Sequence, residues 1–157
     1  MIQYAFFDVD GTLSSPRYLI DGEFGIGTTD AAWAEYCRVH KEDSYEYCYG
    51  VAPVRAHAEA LKKAGAKLFV LSSIHTDEER DAKTKFVNRV YPGLFDDFFY
   101  VWEDARKLTL IQEMAADAQI PLADCELVED TLNTLFKAAT LGITPMHISM
   151  LVQEDGE

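Results

Sequence analysis

Hydrophobic runs separated by amphipathic stretches recur along most of the chain. A short apolar run bounded by turn residues is typical of a buried strand, whereas apolar residues spaced three and four apart are typical of a helix. The first apolar run covers residues 2–7 and ends abruptly in two carboxylates, Asp8 and Asp10. Later runs predict strands over residues 67–71, 98–101, 126–128 and 143–150.

Helices are predicted between these strands. Pro53 and Gly65 bracket one over residues 54–64, because proline suits the first helical turn and glycine the position after the last. The final helix has an apolar stripe at i, i+3, i+4 and i+7, formed by Leu132, Leu135, Phe136 and Ala139, and closes at Gly142. The remaining helices are predicted over residues 30–40, 77–91 and 105–118.

Strands that alternate with helices indicate βαβ units and a mostly parallel, doubly wound sheet covered on both faces. Between the first strand and Pro53, Asp21-Gly22 predicts a hairpin turn. Residues 41–50 are acidic and rich in tyrosine, which indicates an ordered loop. The 157 residues fit one α/β domain that ends in a polar tail over residues 153–157.

The charge balance narrows the set of binding partners. The chain has 14 Lys and Arg residues against 27 Asp and Glu residues, for a formal net charge of −13. Such a surface argues against general binding of nucleic acid or of an anionic membrane. A small anionic substrate stays compatible, because a bound divalent metal can reverse the field locally.

The cysteines and the apolar runs bear on localisation. Cys37, Cys48 and Cys125 are odd in number and show no CxxC spacing, so neither a disulfide framework nor a zinc site is indicated. No basic segment with a cleavable apolar stretch opens the sequence, and no apolar run approaches the length of a membrane span. We expect a soluble, cytoplasmic protein.

Polar groups follow three of the predicted strands. They are Asp8 with Asp10, Ser72 with Ser73, and Glu129 with Asp130. Right-handed crossovers bring the carboxyl ends of parallel strands to one edge of the sheet, where ligands of α/β proteins bind. Each pair alone could cap a helix or form a turn. Together they predict a metal-assisted catalytic centre.

These segments resemble the sequence motifs of the haloacid dehalogenase superfamily, whose members include many phosphatases. Asp8-Val9-Asp10-Gly11-Thr12-Leu13, after its apolar strand, looks like the first motif. The strand that ends in Ser72 resembles the second, and the strand that ends in Glu129-Asp130 resembles the fourth. The resemblance covers residues 2 to about 150 and implies a Rossmann-like, three-layer α/β/α fold.

The third motif of this family is a lysine upstream of the acid pair, and two lysines compete for the role. Lys107 begins the helix that precedes the fourth-motif strand, whereas Lys83 lies in the middle of a different helix. We assign the motif to Lys107.

By this resemblance the catalytic residues are Asp8, Asp10, Ser72 and Lys107. Asp8 is the expected nucleophile, and Asp10 the general acid and then base. Ser72 and Lys107 would bind and neutralise the phosphoryl group. The expected cofactor is Mg²⁺, held by Asp8, the backbone carbonyl of Asp10 and Asp130, with Glu129 nearby, directly or through water.

The resemblance also bears on substrate access. Neither gap between the motifs fits a full cap domain, so we expect a flap hairpin and a small helical lid within residues 14–50. An open site suits either a bulky substrate or a small one, which a second subunit of a homo-oligomer would then enclose. Tyr18, Trp33, Tyr45 and Tyr47, or His75 and Arg80, could reach a substrate, but packing or solvent exposure explains them as well.

The leading hypothesis is a Mg²⁺-dependent phosphatase that hydrolyses a phosphorylated small molecule through an aspartyl-phosphate. Asp10 favours phosphate chemistry, because family members that cleave carbon–halogen bonds lack an acid at this position. One alternative is a non-catalytic or regulatory phospho-acceptor module on the same scaffold. Another is a phosphatase acting on nucleotides or nucleic-acid ends, which the acidic charge disfavours.

Overall fold

The computed structural model describes residues 1–15, 19–20, 23–24 and 30–152. Its strands are β1 (Tyr4–Phe7), β2 (Ser14–Ser15), β3 (Leu19–Ile20), β4 (Glu23–Phe24), β5 (Tyr49–Gly50), β6 (Lys67–Ser73), β7 (Asp97–Val101), β8 (Cys125–Glu129) and β9 (Thr144–His147). Its α-helices are α1 (Asp30–His40), α2 (Ala52–Lys63), α3 (Asp77–Val90), α4 (Ala105–Ala118) and α5 (Leu132–Thr140).

Five strands form a parallel sheet in the order β7-β6-β1-β8-β9. β1 lies at its centre, with Phe7 opposite Val70 of β6 and Val128 of β8. From β1 the chain continues to β6 and β7 on one side, and then returns to build β8 and β9 on the other. This is the doubly wound α/β arrangement that the sequence predicts.

The sheet separates two hydrophobic cores, because successive side chains of a strand point to opposite faces. Ala5 and Phe7 of β1 pack in a cluster with residues of α2 and α3. Phe6 packs in the other cluster, with residues of α4 and α5 such as Ile111 and Leu135. Helices therefore cover both faces, and the strand ends between them remain available for chemistry.

The helices begin and end close to where the sequence predicts. Gly65, just past α2, has a φ of +102°, a conformation that glycine adopts without steric cost. α3 begins after Thr76, whose hydroxyl accepts a hydrogen bond from the Glu79 backbone N–H at 3.1 Å. Local capping thus fixes the ends of the two helices that flank β6.

The segment between β1 and α2 is partly described. β3 and β4 pair antiparallel, with Ile20 opposite Glu23, as the predicted hairpin requires. The turn residues Asp21 and Gly22 lie outside the described residues. Within residues 41–50 the structure has a 3₁₀ turn over Lys41–Asp43, and β5 pairs with β2.

Two predictions near the C-terminus need correction. Leu132 and Phe136, assigned to the buried stripe of α5, are 52% and 67% exposed, whereas Leu135 and Ala138 are buried. Leu135 and Ala138 define the face of α5 that packs on the sheet, and at about 100° per residue Phe136 points roughly 130° and Leu132 roughly 90° away from its centre. The last strand is also shorter than predicted, because a 3₁₀ turn over Ile148–Met150 follows β9. The predicted tail, residues 153–157, lies outside the described residues.

Among the described residues, no helix is both long enough and apolar enough to cross a membrane.

A hydrogen bond between a histidine and a buried glutamate joins α2 to the sheet. His57 Nε2 lies 2.5 Å from Glu126 Oε1, and the Glu126 side chain is 5% exposed. A buried carboxylate that loses its partner is costly, so we predict that His57→Leu lowers the free energy of unfolding by about 3 kcal/mol. Urea denaturation followed by circular dichroism measures this loss.

The double variant His57→Leu/Glu126→Leu is the matched control. It removes the carboxylate together with its partner, so much of the lost stability should return. A double variant no more stable than His57→Leu would contradict the explanation that the unpartnered Glu126 causes the loss.

Candidate active site

The predicted site residues meet at the carboxyl edge of the sheet. Asp8 directly follows β1, Ser72 lies near the end of β6, and Glu129 is the last residue of β8. All three side chains are buried. Because these strands are neighbours and parallel, residues far apart in sequence share one small volume.

The loop after β1 folds back over the end of β8. The Gly11 N–H donates to Ser14 O at 3.0 Å, and the Ser14 N–H donates to Val9 O at 2.9 Å. Gly11 has a φ of +73°, and a Cβ at this position would collide with the carboxylate of Asp130. Glycine is needed here both for the backbone conformation and for the close approach of Asp130.

Lys107 is buried between acids of two strands. Its Nζ lies 3.0 Å from Asp8 Oδ1 and 3.1 Å from Glu129 Oε2, with Asp104 at 3.6 Å. Burial alone would lower the pKa of Lys107, but the negative charges of Asp8 and Glu129 outweigh it and raise that pKa above its ordinary value. Lys107 therefore carries a permanent positive charge beside Asp8.

Carboxylate oxygens of Asp8, Glu129 and Asp130 converge, with one oxygen of each within 4.8 Å of the others. Burial and the negative charge of Asp8 raise the pKa of Glu129 to about 9, and the same two causes raise the pKa of Asp130. Mutual repulsion of this kind favours a cation between the groups. Hard oxygen ligands in this arrangement fit Mg²⁺.

The Asp10 side chain lies apart from this cluster and is held on both of its oxygens. Tyr45 donates its hydroxyl hydrogen to Asp10 Oδ1 at 2.5 Å. Lys83 Nζ lies 3.1 Å from Asp10 Oδ2. The Asp10 side chain is nevertheless 43% exposed, so one side of the carboxylate remains open.

Lys83, the lysine not assigned to the third motif, lies inside the site. Its side chain is 1% exposed, and Nζ donates to Ser72 Oγ at 2.8 Å and to Ser73 O at 2.6 Å. It also pairs with Glu79 at 3.3 Å, one helical turn earlier in α3. The site thus holds two buried lysines, Lys107 beside Asp8 and Lys83 beside Asp10 and Ser72.

The sequence contains a pattern that indicates the burial of Lys83. α3 buries residues at i, i+3, i+4, i+7 and i+8: Glu79, Ala82, Lys83, Phe86 and Val87. Two charged residues of opposite sign inside an otherwise apolar stripe indicate a buried pair, since charges are seldom buried without partners. Tyr45 carried no comparable signal, because its segment has no regular period.

The other residues considered for substrate contact are placed as follows. Trp33 is buried, and its Nε1 donates to Glu79 Oε1 at 2.9 Å. Arg80 pairs at the surface with Asp77 and Asp81. The His75 side chain, 41% exposed, contacts Glu79, and Tyr47 is 39% exposed. Tyr18 lies outside the described residues.

No protein-family model and no curated protein matches the chain in sequence.

Solved structures resemble it. A haloacid dehalogenase-like family hydrolase from Xanthomonas campestris has a TM-score of 0.59 and 12% identity, over 93% of this chain and 82% of that one. A haloacid dehalogenase-family enzyme from Bacteroides thetaiotaomicron, complexed with magnesium and inorganic phosphate, has a TM-score of 0.56 and 15% identity. The match covers 100% of this chain and 96% of that one. D,D-heptose 1,7-bisphosphate phosphatase from Burkholderia thailandensis has a TM-score of 0.53 and 13% identity, over 90% and 74%.

The doubly wound sheet and these structural neighbours agree with the resemblance seen in the sequence motifs. The chain has the fold of the haloacid dehalogenase superfamily of phosphatase-type hydrolases.

Proposed function

We propose that this protein is a Mg²⁺-dependent phosphatase that hydrolyses a phosphomonoester through an aspartyl-phosphate on Asp8. The observation that carries the proposal is the contact of Lys107 with Asp8 at 3.0 Å, beside two further acids at the same edge of the sheet. A carboxylate so placed can attack phosphorus while nearby positive charge offsets the charge of the phosphoryl group.

Asp8 is the proposed nucleophile. Its carboxylate is 8% exposed and pairs through Oδ1 with the Lys107 ammonium. This pairing fixes the orientation of the carboxylate and lessens its repulsion of an incoming phosphate. The second oxygen, Oδ2, is proposed to attack phosphorus, which splits hydrolysis into formation and breakdown of the phosphoenzyme.

Asp8, Asp130 and the backbone carbonyl of Asp10 are the proposed Mg²⁺ ligands, with Glu129 binding directly or through water. When bound, the ion would neutralise phosphoryl oxygens and orient the group for in-line attack. The convergence of the Asp8, Glu129 and Asp130 oxygens supports this assignment.

Asp10 is the proposed general acid and base. The carboxylate is held by Tyr45 and Lys83, yet its side chain stays 43% exposed. It would donate a proton to the leaving oxygen and then accept one from the attacking water. Ser72 is proposed to hydrogen-bond the phosphoryl group.

A phosphorylated small molecule is the proposed substrate class, as for the heptose bisphosphatase among the structural neighbours. The net charge of −13 supports this choice over nucleic acid. We propose one hydrolase domain over residues 1–157, with residues 14–50 as flap and lid. Enclosure of the site by a second copy stays a prediction, as does a cytoplasmic location, which the three buried, disulfide-free cysteines support.

Hydrolysis of a generic aryl phosphate tests the reaction. We expect activity with Mg²⁺ that EDTA abolishes and added Mg²⁺ restores. Asp8→Asn should lower kcat by a factor of about 10³ or more, because no phosphoenzyme can form. Asp10→Asn should lower it by about 10²–10⁴, the usual contribution of a general acid and base.

Asp117→Asn, an exposed position on α4, is the matched control and should retain wild-type activity. Activity that survives Asp8→Asn would contradict the mechanism. A long-lived phosphoenzyme without turnover, detected by mass spectrometry after incubation with a small phosphodonor, would favour the regulatory phospho-acceptor instead.

Thermal unfolding tests the metal site without relying on catalysis. An ion at about 100 times its dissociation constant stabilises the folded state by about 2.7 kcal/mol. For a chain of this size we therefore expect saturating Mg²⁺ to raise Tm by roughly 5–10 °C. Asp130→Asn should remove most of this rise, whereas Asp117→Asn should keep it. An undiminished rise in Asp130→Asn would place the ion elsewhere.

A further inference from the structure

We propose that Lys83 is a positioning residue of the reaction, which aims the Ser72 hydroxyl at the phosphoryl group and holds the Asp10 carboxylate against the leaving oxygen. This role rests on the proposed phosphatase function and goes beyond it, because Lys83 belongs to none of the four motifs.

The contacts of Lys83 point into the site. Its ammonium is closer to Ser73 O, Ser72 Oγ and Asp10 Oδ2, at 2.6, 2.8 and 3.1 Å, than to Glu79 Oε1 at 3.3 Å. A lysine that served only as the ion-pair partner of Glu79 would make its shortest contact there. Lys83 instead bridges the ends of β6 and β1.

The contact with Lys83 orients the hydroxyl group of Ser72. An ammonium group has donors and no acceptor, so Lys83 must occupy a lone pair of Ser72 Oγ. The hydroxyl hydrogen is then left to be donated, and the acceptor described for it is Ser73 O at a long 3.5 Å. A phosphoryl oxygen in the site would be a better acceptor, and charge-assisted contacts of this kind strengthen as charge develops.

Side chains from two parts of the chain hold the Asp10 carboxylate. Tyr45 donates to Oδ1 and Lys83 contacts Oδ2, which leaves a second lone pair on each oxygen. Burial and the charge of Asp10 raise the pKa of Tyr45 well above its ordinary value, so the phenol keeps its hydrogen and remains a donor. The carboxylate is thus fixed in orientation while its exposed side can still exchange a proton.

Glu79 makes it possible to bury the ammonium. Its carboxylate accepts hydrogen bonds from Trp33 Nε1 at 2.9 Å and from the His75 backbone N–H at 2.6 Å. Burial lowers the pKa of Lys83, but the charges of Asp10, Glu79 and Asp8 more than offset it, so the lysine stays protonated. Glu79 thus supplies countercharge to the buried ammonium.

Leaving-group dependence tests the role. Lys83→Met alone leaves the Glu79 carboxylate buried without its cation, so the main variant is Lys83→Met/Glu79→Gln, which removes both charges. We would measure kcat/KM for aryl phosphates whose leaving phenols range from strongly to weakly acidic. Acidic phenols leave with little protonation, whereas weakly acidic ones need a well-placed Asp10.

We expect kcat/KM of the double variant to fall about 10-fold with the most acidic phenol and about 10³-fold with the least acidic one. Its kcat/KM should therefore depend more steeply on the acidity of the phenol than that of the wild type. Tyr45→Phe removes the other hold on Asp10 and leaves the ring in place, so it should steepen the dependence in the same direction. Lys85→Met, also on α3 but half-exposed and paired with Asp43, should match the wild type.

A double-mutant cycle with Ser72→Ala separates the effect of Lys83 on Ser72 from its effect on Asp10. With the most acidic phenol the remaining loss should come through Ser72, so the Lys83→Met/Glu79→Gln change should add almost nothing in the Ser72→Ala background. Melting curves and far-ultraviolet circular dichroism establish that each variant is folded.

The outcomes distinguish the two proposals. A uniform loss across the series, or none, in a folded double variant of an active enzyme would overturn the role of Lys83 and leave the phosphatase proposal standing. Wild-type protein inactive on the whole series, or activity surviving Asp8→Asn, would overturn both.

Discussion

The carboxyl edge of the sheet depends on the ion pairs of Lys107. The Nζ atom of this lysine lies 3.0 Å from Asp8 Oδ1 and 3.1 Å from Glu129 Oε2. Three buried or half-buried carboxylates converge there around one lysine, and burial together with the charge of Asp8 raises the pKa of Glu129. Without that lysine the acids would be costly to bury so close together. With it, the group retains an excess of negative charge that a divalent cation can balance.

A second charge system lies beside the first, and it extends the site into the segment between β1 and α2. Lys83 links Ser72 and Asp10 to Glu79, which in turn holds Trp33 of α1, while Tyr45 reaches Asp10 directly. The buried side chains of Trp33 and Tyr45 therefore tie the segment to Glu79 and Asp10 by hydrogen bonds.

The sequence predicted the sheet, its helices and the meeting of Asp8, Ser72 and Glu129, because strand and helix periods and the crossover rule fix which ends share an edge. Lys107 was predicted from the resemblance to the third family motif. The sequence did not predict Lys83 or Tyr45. The apolar periodicity that locates a helix does not say which of its polar residues face inward, as Glu79 and Lys83 do. The same limit applies to Phe136, whose apolar character did not place it in the core. Such choices depend on tertiary partners that are distant in the chain.

The hydrogen bond from the Trp33 indole to Glu79 gives the protein a built-in optical reporter. The chain has two tryptophans; Trp33 is buried, and Trp102 is 61% exposed. An aqueous quencher such as iodide would therefore quench the fluorescence of Trp102 first and leave the emission of Trp33. Because the indole N–H is bound to the carboxylate that balances Lys83, its emission should respond to charge arriving beside Ser72 and Asp10. Ligand binding could then be followed by fluorescence without a chromogenic substrate or an attached dye.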